Sequence, residues 1–247
     1  MHRFFVAPEN LKGERALLDA AQTRHIQVVL RLSPGDTIGL FDGRGNEYKA
    51  RLEELEGACY TARLLSEEQQ NSEPRLRLYL VQSLVKGDKM DFIVQKAVEI
   101  GISGIYPVAS ERSVVSLSPE RAAKKVERWQ SIAREACKQC GRSYIPPVYP
   151  VQSFKQYVSK HKPPQDIMLY EASQNRGLKE ILRDPGLSWG DELGIIIGPE
   201  GGFTPEEVRA AQNRGILVGG LGPRILRAET AGLVTASVIL YEWNELG

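Results

Sequence analysis

The sequence predicts an α/β protein with a largely parallel sheet, preceded by a small all-β unit. From residue 76 onward, apolar strand candidates alternate with helical patterns, as a sheet buried on both faces requires. Residues 1 to about 73 read instead as short strands joined by polar turns, the pattern of a small barrel. Between them, residues 66–75, "SEEQQNSEPR", are polar, carry a proline and have no apolar period. The predicted division is therefore 1–73 and 74–247.

In the first unit, "HRFFV" is the opening strand, and Thr23 is placed to cap a short helix through "HIQVVLR". "SPGD" is a turn, "TIGLFDGRGNEYKARLEEL" is two strands around "DGRG", and "ACYTARLLS" is a further strand. The second unit opens on the strand "LRLYLVQS". A helix over "DKMDFIVQKAVEIG" follows, with Phe92, Ile93, Val94, Ala97 and Ile100 as its apolar stripe and Gly101 as its stop. "GIYPV", "DIMLYE", "LGIIIG" and "ILVGG" are the remaining strand candidates.

Bulk properties narrow the function. Hydrophobic residues make up 42% and charged residues 26% of the 247, ordinary values for a globular chain. The net charge is +1, so a nucleic-acid surface has to be a local patch. "MHRFFVAPEN" has no long apolar region and no signal peptide is expected. No apolar run reaches the ~18 residues of a membrane span. Three cysteines speak against a disulfide framework and for a reducing cytoplasm. His2, His25 and His161 lack metal-ligand spacing, so no metal is expected.

Residues 195–208, "IIIGPEGGFTPEEV", carry the first functional signal. Thr204, Pro205 and Glu207 spell a helix start with a capping box. Gly198, Gly201 and Gly202 leave the backbone open to a ligand, or simply make a tight turn. The loop has no Walker lysine, and the carboxylate of Glu200 would repel a pyrophosphate. A neutral or cationic ligand is expected, and S-adenosylmethionine fits that description. A second loop, "GGLGPRILRAETAGLVTASVIL", again follows a short strand and again carries Gly-Pro. Glu229 or Thr230 can serve the N-terminus of the apolar helix that follows, and Arg227 and Glu229 can equally form a plain salt bridge. That helix is expected to be buried in the core or against a second subunit.

Residues 118–142 form a third signal. Ser118, Pro119 and Glu120 start a helix on which Ala122, Val126, Trp129, Ala133, Ala136, Cys137 and Cys140 share an arc. Residues 121–142 hold seven basic residues against two acids, suited to phosphate contacts or to a solvated face. Cys137 and Cys140 lie late in the helix on its apolar arc and read as small buried residues, not as a redox or zinc pair.

"IIIGPEGGF" and "LGPRILRAETA" resemble the SPOUT methyltransferases, and among them the bacterial RsmE group, which methylates N3 of a uridine in small-subunit ribosomal RNA. "HRFF", "RHIQVVLRLSPGDTIGLFDGRGNEY", "KGDKMDFIVQKAVEIGI", "ERSVV" and "REACKQCGR" are similar to that group in the same order. Lys138, where an acid or another polar residue is expected, is the clearest departure. The resemblance implies a C-terminal deep trefoil knot, an N-terminal PUA-like barrel, a homodimer and an S-adenosylmethionine site in the knot loops. It places in that site Leu169, Ile197, Gly198, Pro199, Glu200, Gly201 and Gly202, then Leu221, Gly222, Arg224, Ile225, Leu226, Thr230 and Ala231.

For the reaction, Arg227 and Arg112 are candidates to stabilise charge on the uracil oxygens, and Glu200 or Glu229 to accept the N3 proton. Arg3, Arg24, Arg31, Lys124, Arg128, Arg134, Lys138 and Arg142 are the candidate RNA contacts. Two other readings are a ribose 2′-O-methyltransferase of the same superfamily and a ribosome-assembly protein with a vestigial pocket. Intact "GPEGG" and "RILRAETA" speak against the second.

Overall fold

The computed structural model of the chain describes residues 1–246 except 58, 69–71, 116, 161–164 and 173–175. His161 and part of the polar stretch 66–75 therefore lie outside the described residues. The described chain divides into two compact units, one of Met1–Glu73 with Cys137–Ile145 and one of Pro74–Ala136 with Pro146–Gly247. The first unit is thus discontinuous: it takes in residues 137–145, beyond the expected stretch 1–73.

In the first unit, β1 (Arg3–Phe5), β2 (Leu11–Lys12), β3 (Arg15–Leu17), β4 (Thr37–Phe41), β5 (Glu47–Glu56) and β6 (Cys59–Glu68) form one sheet in the order β1-β4-β5-β6-β3-β2. Leu18, Ile26, Ile38, Leu40 and Leu52 are buried at its centre. The β4–β5 hairpin turns where "DGRG" predicted, because Asp42 accepts from the backbone N–H groups of Arg44 at 2.8 Å and Asn46 at 3.1 Å. Gly43 and Gly45 take the left-handed conformations that this turn demands, φ 74° and 107°.

Thr23 does not cap the first helix. Asp19 does, accepting from Gln22 N in a capping box at the start of α1 (Ala20–Arg24), which runs on as a π-helical stretch, His25–Leu30. Thr23 is buried, and its hydroxyl instead accepts from Tyr60 N at 3.0 Å. Arg3 and Arg142 are also turned to structural use. Arg142 is 4% exposed in an ion pair with Glu73, and Arg3 is 14% exposed against Glu47. Both guanidiniums, expected as RNA contacts, are engaged by carboxylates inside the unit.

The second unit is an all-parallel sheet of β7 (Arg77–Ser83), β8 (Gly104–Ala109), β9 (Gln152–Ser153), β10 (Asp166–Leu169), β11 (Glu192–Ile197) and β12 (Leu217–Gly219). Its strand order is β12-β10-β11-β7-β8-β9. Connecting helices are α2 (Lys89–Ile100), α3 (Pro119–Cys140), α4 (Phe154–Lys160), α5 (Leu178–Leu182), α6 (Pro205–Gln212) and α7 (Ala228–Glu242). Helix α2 buries Met90, Ile93, Val94, Ala97 and Val98, so the predicted stripe is rotated: Phe92 is exposed and Ile100 only half-buried. Gly101 closes the helix at φ 118°.

On α3, Trp129, Ala133, Ala136 and Cys137 are buried, while Ala122, Val126 and Cys140 are half-buried. Helix α7 packs against α2 and against β11 and β7. Its N-cap position is Arg227, with no side-chain cap; Glu229 serves this N-terminus as the acid of the first turn, with Thr230 beside it. Among the described residues no helix is long and apolar enough to cross a membrane, and no cluster is suited to a metal ion.

Candidate functional site

The site is built at the carboxyl edge of three neighbouring parallel strands. Leu169, Ile197 and Gly219, the last residues of β10, β11 and β12, stand in register. The segments leaving these ends converge, which is where open α/β sheets bind ligands. Gly220 N donates to Arg176 O at 3.0 Å and Leu178 N to Gly220 O at 2.9 Å, tying two of the segments together.

The loop after β11 is shaped by its glycines. Gly202 N donates to Pro199 O at 2.9 Å, and Gly202 takes φ 67°. A Cβ at Gly202 would overlap the Glu171 carboxylate, and one at Gly198 would press on the Phe203 ring at 3.1 Å. The helix behind the loop starts as the sequence predicts. Glu207 N donates to Thr204 Oγ1 at 3.2 Å, and Thr204 N returns a bond to Glu207 Oε2 at 3.0 Å. Glu207 Oε1 further accepts from Glu111 N at 2.9 Å, which fixes the β8 end to the same corner.

Together the segments enclose a cavity of about 510 Å³. Leu169, Ile197, Gly198, Pro199 and Gly202 line it from the first two strands. Leu221, Gly222, Arg224, Ile225, Leu226 and Ala231 line it from the last loop and helix. Three expected cofactor residues, Glu200, Gly201 and Thr230, are absent from this wall. Sequence reasoning missed Tyr170, Glu171 and Arg176, which enter with the segment after β10.

Glu200 is turned away by two donors. Lys89 Nζ reaches its Oε1 at 3.1 Å and Lys86 N reaches the same oxygen at 3.3 Å. Partial burial pushes this carboxyl up, but its own backbone N–H, Lys89 and Lys86 together hold it below the usual glutamate value. Glu200, expected at the ligand, is here engaged with Lys89 and Lys86 beside the cavity. Lys89 also stands 3.5 Å from Glu229 Oε2, an oxygen that is otherwise buried without a hydrogen bond. The Glu200 hydrogen bond, chiefly, raises the Lys89 pKa. Lys89 was not singled out from the sequence; its position at the head of a helix is not by itself a signal.

Arg227 is 81% exposed, with a loose 3.9 Å approach to Glu229 Oε1. Arg112 Nη1 donates to Gly201 O at 3.1 Å, so this side chain lies against the glycine loop. The structure thus gathers Glu200, Glu229, Lys89 and Arg227 into one chain of charges, with Arg112 on the neighbouring turn.

The remaining basic candidates separate by exposure. Arg24, Arg31, Lys124, Arg128 and Arg134 are exposed, and Lys138 is half-buried with its ammonium 5.9 Å from the Phe4 ring. Arg128 also binds Asp91 at 2.5 Å, and Trp129 Nε1 donates to the other oxygen of Asp91 at 3.1 Å.

Comparison with known proteins matches this architecture in both parts. Residues 71–240 match the RNA methyltransferase domain model, and residues 18–58 match the RNA methyltransferase PUA domain model. The chain is 34% identical over 248 residues to the ribosomal RNA small subunit methyltransferase E of Bacillus subtilis, covering 98% of this chain and 97% of the relative. It is similar to a Neisseria gonorrhoeae ribosomal RNA small subunit methyltransferase E solved bound to S-adenosyl methionine (TM-score 0.86, 39% identity, 98% of each chain). A Legionella pneumophila methyltransferase solved with bound cofactor SAM is similar too (TM-score 0.85, 34% identity, 97% of each chain).

Proposed function

The chain belongs to the ribosomal RNA small subunit methyltransferase E family of RNA methyltransferases, and on that footing we propose that it methylates N3 of a uridine in small-subunit ribosomal RNA with S-adenosylmethionine. The observation that carries this reading is the cavity at the ends of β10, β11 and β12. Its volume suits a nucleoside-sized ligand. Leu169, Ile197 and Leu226 supply apolar surface for a purine, and Gly198, Gly202 and Gly222 let the ligand meet bare backbone. Among the described residues the cavity wall carries no lysine, and of its two arginines Arg176 is already engaged by Asp184.

When bound, the cofactor supplies a methyl group made electrophilic by a sulfonium. The chain's own task is to position the uracil and to manage its N3 proton. Arg227, exposed at the head of α7, and Arg112, held on the glycine loop, supply positive charge for the uracil oxygens as negative charge develops. Glu229 is the acid assigned to take the N3 proton, since its carboxylate lies between Lys89 and Arg227 with one oxygen short of a hydrogen bond. Glu200, held by Lys89 and Lys86 N below the usual glutamate value, positions Lys89.

Arg24 and Arg31 in the first unit and Lys124, Arg128 and Arg134 on α3 are proposed to hold RNA phosphates. The path β10-β11-β12, in which β12 returns across β10 and α7 comes back over β11 and β7, supports a trefoil knot. We assign the active form to a homodimer in the cytoplasm.

The test is mass spectrometry of nuclease-digested small-subunit RNA from cells with and without the gene. A 3-methyluridine that disappears on deletion, and returns with purified protein and S-adenosylmethionine, is the expected result. An unchanged nucleoside profile would remove the assignment.

A further inference from the structure

Among the described residues the wall of the cavity carries three charged side chains, and two of them form no ion pair. Arg176 is engaged by Asp184 and by Glu180 O. Glu171 and Arg224 are exposed and form no ion pair or side-chain hydrogen bond among the described residues. Of the other acids beside the site, Glu200 and Glu229 face Lys89, and Glu207 accepts from two backbone N–H groups. Glu171 also lies directly beside the glycine loop. Its carboxylate lies against the Cα of Gly202, in space that any other residue there would fill.

An apolar floor with one unpaired acid and one unpaired base at its open rim complements a zwitterion. Resting on the reading that S-adenosylmethionine occupies this cavity, we infer that Glu171 and Arg224 recognise its α-amino acid end. Glu171 accepts from the α-ammonium, and Arg224 donates to the α-carboxylate, the geometry for which a guanidinium is suited. Glu171 brings this carboxylate to the rim from the segment after β10. Discrimination follows: nucleosides lacking the amino acid gain nothing from the rim. Charge-assisted hydrogen bonds of this kind correspond to roughly tenfold in affinity each, or more.

Isothermal titration calorimetry on the full chain tests this with three ligands: S-adenosylmethionine, S-adenosylhomocysteine and 5′-methylthioadenosine, which lacks the amino acid. Glu171→Gln and Arg224→Gln are each expected to weaken the first two about tenfold. They should leave methylthioadenosine binding, and the thermal midpoint, unchanged. A loss confined to S-adenosylmethionine would assign Glu171 to the sulfonium and overturn the inference. An equal loss for all three ligands would assign the effect to the nucleoside or the fold, and no loss would remove both residues. A wild-type protein that binds none of the three would overturn the cofactor reading itself, a result distinct from any behaviour of the variants.

Discussion

At the residue scale, the site depends on one ammonium shared by two carboxylates. Lys89 lies 3.1 Å from Glu200 and 3.5 Å from Glu229, and so joins the loop after β11 to the head of α7. Its removal leaves Glu200 and Glu229 without the ammonium they share, with Arg227 still 3.9 Å from Glu229. Lys89→Met is therefore expected to lower kcat/KM by roughly 10- to 100-fold, with Lys89→Arg restoring part of it. Arg227→Ala, which removes a highly exposed side chain, should cost roughly 100-fold in kcat while the thermal midpoint stays put. Single-turnover kinetics beside a melting curve read both, and near-normal turnover of Arg227→Ala would take that residue out of the mechanism. Cys137 offers a separate check. Burial pushes its thiol up to about 12, and its Sγ donates to Tyr144 O at 3.4 Å. At pH 8 it stays a thiol, so a thiol reagent should label Cys59 and Cys140, both half-buried, well before Cys137. Rapid labelling of Cys137 in the folded protein, mapped by peptide mass spectrometry, would contradict that burial.

At the element scale, the capping box of α6 does two jobs. It satisfies the first turn of the helix, and through Glu207 Oε1 it ties that turn to Glu111 N. Thr204→Ala removes the hydroxyl acceptor and should cost about 1 kcal/mol of stability. The same change should loosen the cavity loop and raise the Kd for S-adenosylmethionine; urea unfolding and calorimetry on one preparation measure both. Unchanged unfolding would show that the cap contributes nothing here. This element was legible from "TPEE" because capping is local chemistry. The two glycine loops were legible for the same reason, since Gly202 and Gly222 occupy φ 67° and 96°. What was not legible depends on register. Glu171 joins the site only because Leu169 stands opposite both Ile197 and Gly219. Arg142 reads as a surface cation until folding places it on Glu73, far back in the chain. Glu200 faces Lys86 and Lys89 for a similar reason, and no local pattern reports that pairing. The predicted stripe of α2 was off by a rotation because its apolar residues outnumber the buried face, and periodicity alone cannot choose among them.

At the scale of the whole molecule, the last helix is more apolar than one core-facing side can use. Ala236, Ile239 and Leu240 are buried, whereas Val234, Val238 and Tyr241 are 39%, 41% and 69% exposed. At ~100° per residue these three fall on one narrow arc, spaced i, i+4 and i+7, which is how a helix presents a partner-facing stripe. Helix α2, which packs against α7, carries the exposed Phe92. An isologous pairing of two such stripes would bury apolar surface at no cost in unpaired charge, and it would fall on the helix whose first turn holds Arg227 and Glu229. Dimerisation and catalysis should then fail together. Val238→Asp places a carboxylate in the middle of the stripe without touching the core side of the helix. Sedimentation should show the wild type as a dimer and this variant as a monomer, with methylation lost. The melting curve should no longer shift with protein concentration. A wild type that sediments as a monomer at working concentration, or a monomeric variant that methylates at full rate, would separate the stripe from the reaction and leave the site complete within a single chain.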